Sequence, residues 1–259
     1  VYTTVALKRY VLEYSMKNEL KTVTIQNKTC HIYKSGDTKG IGGMHRLPVF
    51  YWGVGGDSRE SVEVVVSYLE ERILSADFIL AAYESECWND DFSPWAAPPV
   101  FGTEAFGGKA GDTLKWLAQY CIPYVEAKES EIARFSVGYS LAGLFSLWVY
   151  CECDMFAGAV SCSGSLWYEG WLDYVRKKGT AVCGNGTRYL YLSLGDREEK
   201  TKNRLMATVG DNTRKVYTML CEDRKNVKGV LEWNQGGHFT EADLRVVRGI
   251  CWILKHFDV

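Results

Sequence analysis

The sequence has no apolar run approaching the ~20 residues that a membrane-crossing helix needs, so no bilayer-spanning segment is expected. It has no excess of one charge either. The 30 lysines and arginines and 32 aspartates and glutamates leave a net charge of −2. That balance offers no basic patch to phosphate backbones and no pull toward anionic lipid, so neither nucleic acid nor membrane is an expected partner. There is no Cys-x-x-Cys pair. The nine cysteines are scattered, the closest being Cys151 and Cys153. Structural zinc takes two spaced pairs, so no metal site is foreseen. An odd set, with Cys121, Cys162 and Cys251 inside apolar runs, fits a reducing, cytoplasmic compartment better than a disulfide scaffold. The stretch after Val1 lacks a basic segment followed by an apolar one, so no secretory signal is expected there. Two glycosylation triplets, at Asn27 and Asn185, carry little information because such triplets arise often by chance.

What is present is an ordinary globular composition. Over 259 residues, 47% are hydrophobic and 24% charged, enough for one α/β domain with a large core. Short, nearly continuous apolar runs alternate with longer helical patterns. Pro48–Trp52, Phe78–Tyr83, Arg134–Val137, Ala157–Ser161, Tyr189–Leu194 and Gly229–Trp233 read as strands buried on both faces, as in a parallel sheet. Between them, Glu60–Ile73, Asp112–Glu126, Leu141–Tyr150, Asn212–Glu222 and Glu241–His256 read as helices. The alternation predicts a three-layer α/β/α sandwich, mostly parallel. The first ~45 residues, with runs at Lys21–Ile25 and Thr29–Lys34, predict antiparallel strands added at the sheet edge, with a catalytic core from residue 46 onward. The aperiodic stretch from Glu84 to Gly108, rich in Trp, Pro and Gly, is long for a plain connection and suggests a site-wrapping loop.

The chemistry centres on Phe135–Gly143, which reads FSVGYSLAG. A β run leads to Gly138-Tyr139-Ser140-Leu141-Ala142-Gly143, and an apolar helix follows. That is the strand–turn–helix setting of a nucleophile elbow, in which small neighbours let the backbone turn sharply at the serine. Ala142 stands where the usual G-x-S-x-G pattern has glycine. The bland alternative is a Gly-Ser turn without chemistry. The helix N-terminus would bring free N–H groups and positive dipole to the Ser140 oxygen.

A general base should come late in the chain, after the acid. Of His31, His45, His238 and His256, only the last two follow Ser140. His256 sits on the final helix. His238 stands in Gly236-Gly237-His238-Phe239, a flexible turn after the last strand, at the sheet edge where open α/β proteins bind ligands. Neutral imidazole there can take the Ser140 proton, so turnover should rise through pH ~6–7. The acid should follow the preceding strand, in Leu194-Gly195-Asp196-Arg197-Glu198-Glu199. Glu198 is the first choice, Asp196 the runner-up, and Glu199 or a dyad without acid the remainder. A solvated charge run is the bland alternative.

Acyl transfer also needs two N–H donors for the developing oxyanion. Leu141, just after the serine, should supply one. The glycine loop Gly53-Val54-Gly55-Gly56 after the third strand should supply the other, from Val54 or Gly55. Aromatic loops at the same sheet edge propose a pocket from Trp88, Asp91, Trp95, Ser163 and Trp167. Arg197 and Arg204 either meet an anionic substrate or make surface salt bridges.

The motifs GYSLAGLF, SGSLWY, the WNDDFSPW loop and the GGHF turn, in this order from about Leu47 to the C-terminus, together resemble an esterase branch of the α/β-hydrolase superfamily. That branch holds enterochelin (trilactone siderophore) esterases, feruloyl esterases and S-formylglutathione hydrolases. The resemblance implies the α/β-hydrolase fold and a cofactor-free Ser-His-acid hydrolase with Ser140 and His238 in those roles. Some siderophore-esterase relatives work with a Ser-His pair, which leaves the acid open. The expected activity is hydrolysis of a small-molecule carboxylic ester. An acyltransferase or thioesterase on the same residues, and a non-catalytic binding module on a hydrolase scaffold, are the alternatives.

Overall fold

The computed structural model describes residues 19–36, 46–73, 76–100, 102–178 and 186–257. His45, Cys183 and the triplet asparagine Asn185 lie outside them. One eight-stranded sheet organises the described chain. Its strands are β1 (Lys21–Ile25), β2 (Lys28–Lys34), β3 (Leu47–Val54), β4 (Ile79–Glu84), β5 (Ile132–Tyr139), β6 (Gly158–Cys162), β7 (Arg188–Gly195) and β8 (Val227–Asn234). Their spatial order is β1-β2-β4-β3-β5-β6-β7-β8. β1 pairs antiparallel with β2 and β2 antiparallel with β4; every other pairing is parallel. Most strands extend one or two residues beyond the bounds read from sequence, because backbone pairing continues where the apolar pattern has stopped, whereas β4 and β6 are shifted by one residue toward the C-terminus.

Alternation along the central strands divides the core in two. Val49 and Tyr51 of β3 face one layer, and Phe50 and Trp52 face the other. The first layer receives α2 (Ala110–Trp116, continuing to Val125), α3 (Leu141–Glu152), α4 (Trp171–Lys178) and α5 (Val209–Tyr217). The second receives α1 (Arg59–Arg72) and α6 (Ala242–His256), which pack through Val62, Val65 and Leu69 of α1 and Val246, Val247, Ile250 and Ile253 of α6. Both faces of β3, β5, β6 and β7 are therefore covered, which is why those strands carry no polar face. Gly249 lets α6 lie close on the sheet: a Cβ there would come within 2.3 Å of Val160 Cγ1.

The helix expected at Asn212–Glu222 starts earlier, at Val209, and widens into a looser turn over Thr218–Glu222. Two further features depart from the sequence expectation. The helix expected at Asp112–Glu126 opens into a wide turn over Leu117–Cys121 before closing again at Ile122–Val125. Pro123 has no N–H to donate back along the helix, and the turn just before it absorbs the mismatch. The Glu84–Gly108 stretch is not shapeless. It holds a one-turn helix at Trp88–Asp91 and a small ribbon, Ala96–Ala97 against Phe106–Gly107. Side chain to backbone bonds tie it down, with Thr113 Oγ1 donating to Asp91 O at 2.8 Å and Asn203 Nδ2 to Val100 O at 2.9 Å.

Candidate active site

β5 delivers Ser140 to the C-terminal edge of the sheet. Its backbone has φ 57° and ψ −122°, a conformation that a non-glycine residue holds only when its surroundings impose it. Here they do: Ser140 N–H donates to Cys162 O at 3.0 Å, and Ser140 O accepts the N–H groups of Leu144 at 3.1 Å and Ser165 at 2.9 Å. The sharp turn requires a bare backbone at Gly138, where a Cβ would lie 2.0 Å from Ala142 O. Ala142 itself is buried without conflict. The stringent small position in this elbow is thus Gly138, two residues before the serine, and Ala142 is accommodated in the core. α3 starts immediately after, with Leu141 as its first residue.

β8 ends at Asn234 and the glycine turn swings back over the edge, bringing His238 Nε2 to 3.0 Å from Ser140 Oγ. β7 ends at Gly195, and the 3₁₀ turn Glu198–Lys200 follows it. From that turn Glu198 Oε2 lies 2.7 Å from His238 Nδ1. The carboxylate can only accept there, so Nδ1 carries the proton and Nε2 is free to accept from the serine hydroxyl. The other carboxylate oxygen, Oε1, accepts from Gly195 N at 2.7 Å, Ser163 Oγ at 2.7 Å and Arg245 Nη1 at 2.9 Å. Burial favours the neutral form of Glu198. The hydrogen bonds from His238, Ser163 and Gly195 and the His238 charge outweigh it and hold the carboxyl below its ordinary value.

Asp196, the runner-up acid, faces elsewhere. It is exposed, and its Oδ1 accepts the N–H of Gly236 at 2.9 Å. It braces the turn that carries His238, one residue being too few to bring its short side chain from Gly195 to the imidazole. Glu199 is engaged with Arg214 at 3.2 Å. Tyr139, inside the elbow, donates its hydroxyl to His238 O; burial pushes that phenol up to about 12, so it stays a donor.

A cleft of about 1420 Å³ opens above Ser140. Of the expected pocket residues, Trp88, Ser163 and Trp167 line it, as does Leu141. Asp91 and Trp95 do not. Asp91 is turned away from the cleft into a largely buried ion pair with Lys28 at 2.8 Å and accepts from Ser85 Oγ at 3.0 Å. Trp95 donates to Glu169 O at 2.9 Å and packs on Tyr168 and Tyr174. Val54 and Gly55 are also off the wall. Ser85 N–H bonds to Val54 O at 2.9 Å, so the chain leaving β4 still runs alongside the end of β3, and Glu86 and Cys87 of that chain border the cleft. Phe106, Met206 and Phe239 complete the apolar lining. Sequence reading passed over them, although Phe239 directly follows the histidine. Arg197 and Lys200 reach the same cleft, and no side-chain ion pair engages Arg197 or Arg204 among the described residues. No group of His, Cys, Asp and Glu among the described residues has the arrangement to hold a metal ion.

No family model and no curated protein matches the sequence. Solved structures do match. The siderophore hydrolase EstA from Aspergillus nidulans superposes with a TM-score of 0.72 at 18% identity, covering 93% of this chain and 96% of that one. An IroE-like serine hydrolase from Shewanella oneidensis gives 0.72 at 14% identity, with 94% and 82% covered. The enterobactin esterase FES from Shigella flexneri gives 0.69 at 14% identity; the match covers 94% of this chain and 60% of that one. With the strand order above, these likenesses establish the α/β-hydrolase fold.

Proposed function

We propose that this protein is a serine esterase that cleaves a small-molecule carboxylic ester through an acyl-enzyme on Ser140. The observation that carries the reading is the unbroken chain from Ser140 Oγ through His238 to Glu198, at 3.0 and 2.7 Å, with the serine held in a strained turn. Ser140 attacks the ester carbonyl as His238 Nε2 takes its proton, and Glu198 stabilises the imidazolium that results. The tetrahedral oxyanion is met by the Leu141 N–H at the start of α3, with a second donor from the loop after β3 or the wall segment beside it. His238 then returns the proton to the leaving alcohol. Water repeats the sequence and frees the acid.

The neighbours of this fold named as a siderophore hydrolase and an enterobactin esterase make siderophore esters the first substrates to test. The cleft, large and lined by Trp88, Phe106, Trp167 and Phe239, suits a bulky or aryl ester. Eight described cysteines are free, five of them buried; this supports the cytoplasmic location expected from the sequence.

A fluorophosphonate probe should label Ser140, and Ser140→Ala or His238→Ala should abolish both labelling and turnover of nitrophenyl, feruloyl and trilactone esters. A folded protein that takes no label and hydrolyses none of the three classes would overturn the reading.

A further inference from the structure

The most unusual charged group in the described chain lies outside the three residues just assigned. Arg245 sits on α6 with its side chain wholly buried, at 0% exposure. An arginine cannot lose its hydration without an anion and acceptors in return. Its neighbours are all parts of the proposed site. Nη1 lies 2.9 Å from Glu198 Oε1, 2.8 Å from Ser163 Oγ and 3.3 Å from Tyr139 Oη. Nη2 donates to Gly237 O at 3.0 Å, in the turn that carries His238. Nε has no partner in the described structure. One guanidinium therefore touches the acid, the elbow and the histidine turn, which come from three different strand ends.

We infer that Arg245 is a positioning residue of this site, a buried counter-cation that keeps Glu198 ionised and fixes the His238 turn against the elbow. The inference rests on the Ser140–His238–Glu198 reading and adds to it. With Arg245 in place, Glu198 faces one permanent cation as well as His238, while Tyr139 and Cys162 stand nearby as neutral groups whose ionisation burial opposes. Asp196 shares the loop but is bonded away to Gly236. The carboxylate thus keeps a fixed partner whether or not His238 is protonated. Its Oε1 is saturated by donors, and Oε2 is left aimed at Nδ1. The fork geometry matters too: one nitrogen meets the acid while the other grips Gly237 O, which an ammonium, being a point charge, cannot do in the same plane.

Loss of the cation takes positive charge away from the Glu198–His238 pair, and the pair should then give up its protons only at higher pH. Ser140 acylation by a fluorophosphonate, followed as a rate against pH, reads this directly. In Arg245→Met the acid limb of that profile should move up by about one pH unit and the plateau rate fall roughly tenfold or more. Arg245→Lys, which keeps the charge, should return the limb toward its original place but leave the plateau below wild type. A residue that merely filled space would lower the melting temperature in both variants without moving the limb.

Should Arg245→Met fail to fold, the Glu198→Gln/Arg245→Met double variant removes both buried charges together and keeps the question open to measurement. Because Arg245 acts through Glu198, the double variant should label within about threefold of Glu198→Gln alone. A multiplicative loss in the double variant, or an acid limb unmoved in Arg245→Met, overturns the inference. No labelling of the wild-type protein overturns the esterase reading and this inference with it.

Discussion

Ser163 donates its hydroxyl to Glu198 Oε1 at 2.7 Å, the oxygen that faces away from His238. Ser163 has φ 46°, a left-handed conformation that points its hydroxyl back under the carboxylate rather than out into the cleft it borders. A serine expected as pocket lining is therefore also part of the support for the acid. Ser163→Ala should leave Oε1 with two donors instead of three, lower stability by roughly 1–2 kcal/mol, and reduce turnover several-fold with little change in KM. Thermal melts and steady-state kinetics measure both; a change confined to KM would make Ser163 a substrate contact instead.

The two candidate acids separate cleanly by mutation. Glu198→Ala should cost about 10²-fold or more in kcat. Asp196→Ala removes an acceptor for Gly236 N–H and should cost less than about tenfold. Equal losses from the two would contradict the assignment of Glu198.

Glu198 also links stability to pH. Its carboxyl is held below the ordinary value of 4.5 in the folded state, so its ionised form stabilises the fold. That contribution is complete above pH ~4.5 and is lost as pH falls through the depressed folded value. Urea unfolding of wild type should therefore weaken through this acidic window, and Glu198→Gln should show a shallower dependence there. Identical slopes for the two proteins would remove Glu198 from the linkage.

The elbow makes a steric prediction. Gly138→Ala brings a methyl to 2.0 Å from the Ala142 carbonyl, and backbone on both sides cannot yield. It should destabilise by about 3 kcal/mol or more and abolish labelling of Ser140. By contrast, Ala142→Gly restores the common pattern and should leave the labelling rate within about twofold, since the methyl is buried in the core and takes no part in the Ser140–His238–Glu198 bonds.

Phe239 is 91% exposed yet borders the cleft beside His238, with ring centroids 5.0 Å apart and planes at 85°. Burying it on a substrate would recover apolar area that folding leaves in water. Phe239→Ala should keep the melting temperature within about 1 °C and raise KM for aryl or bulky esters more than it lowers kcat. Unchanged KM across such esters would show that the ring does not meet substrate.

How much of this was readable beforehand depends on the range of each interaction. The strands at Pro48, Arg134 and Tyr189 are written as local apolar runs, and the elbow is written as Gly138-x-Ser140 between a strand and a helix. Adjacent residues carry those signals, so pattern reading reaches them. Glu198 was separable from Asp196 only by spacing after Gly195. Asp91 and Trp95 looked like pocket residues because composition shows that a loop is aromatic and polar without showing which way it faces. An ion pair to Lys28, 63 positions away, holds one of them away from the cleft.

By itself the sequence determined the alternation of elements, the candidate nucleophile Ser140 and the one histidine positioned in a glycine turn late in the chain. Periodicity and steric need are properties of neighbouring residues. Only the tertiary structure decided the support around them. Arg245 occupies a core position on an amphipathic helix, between Ala242 and Gly249, and a charge there is a visible irregularity in the pattern. What it answers to is a carboxylate 47 residues earlier and a carbonyl eight residues earlier, and those distances are closed by the packing of α6 on the sheet.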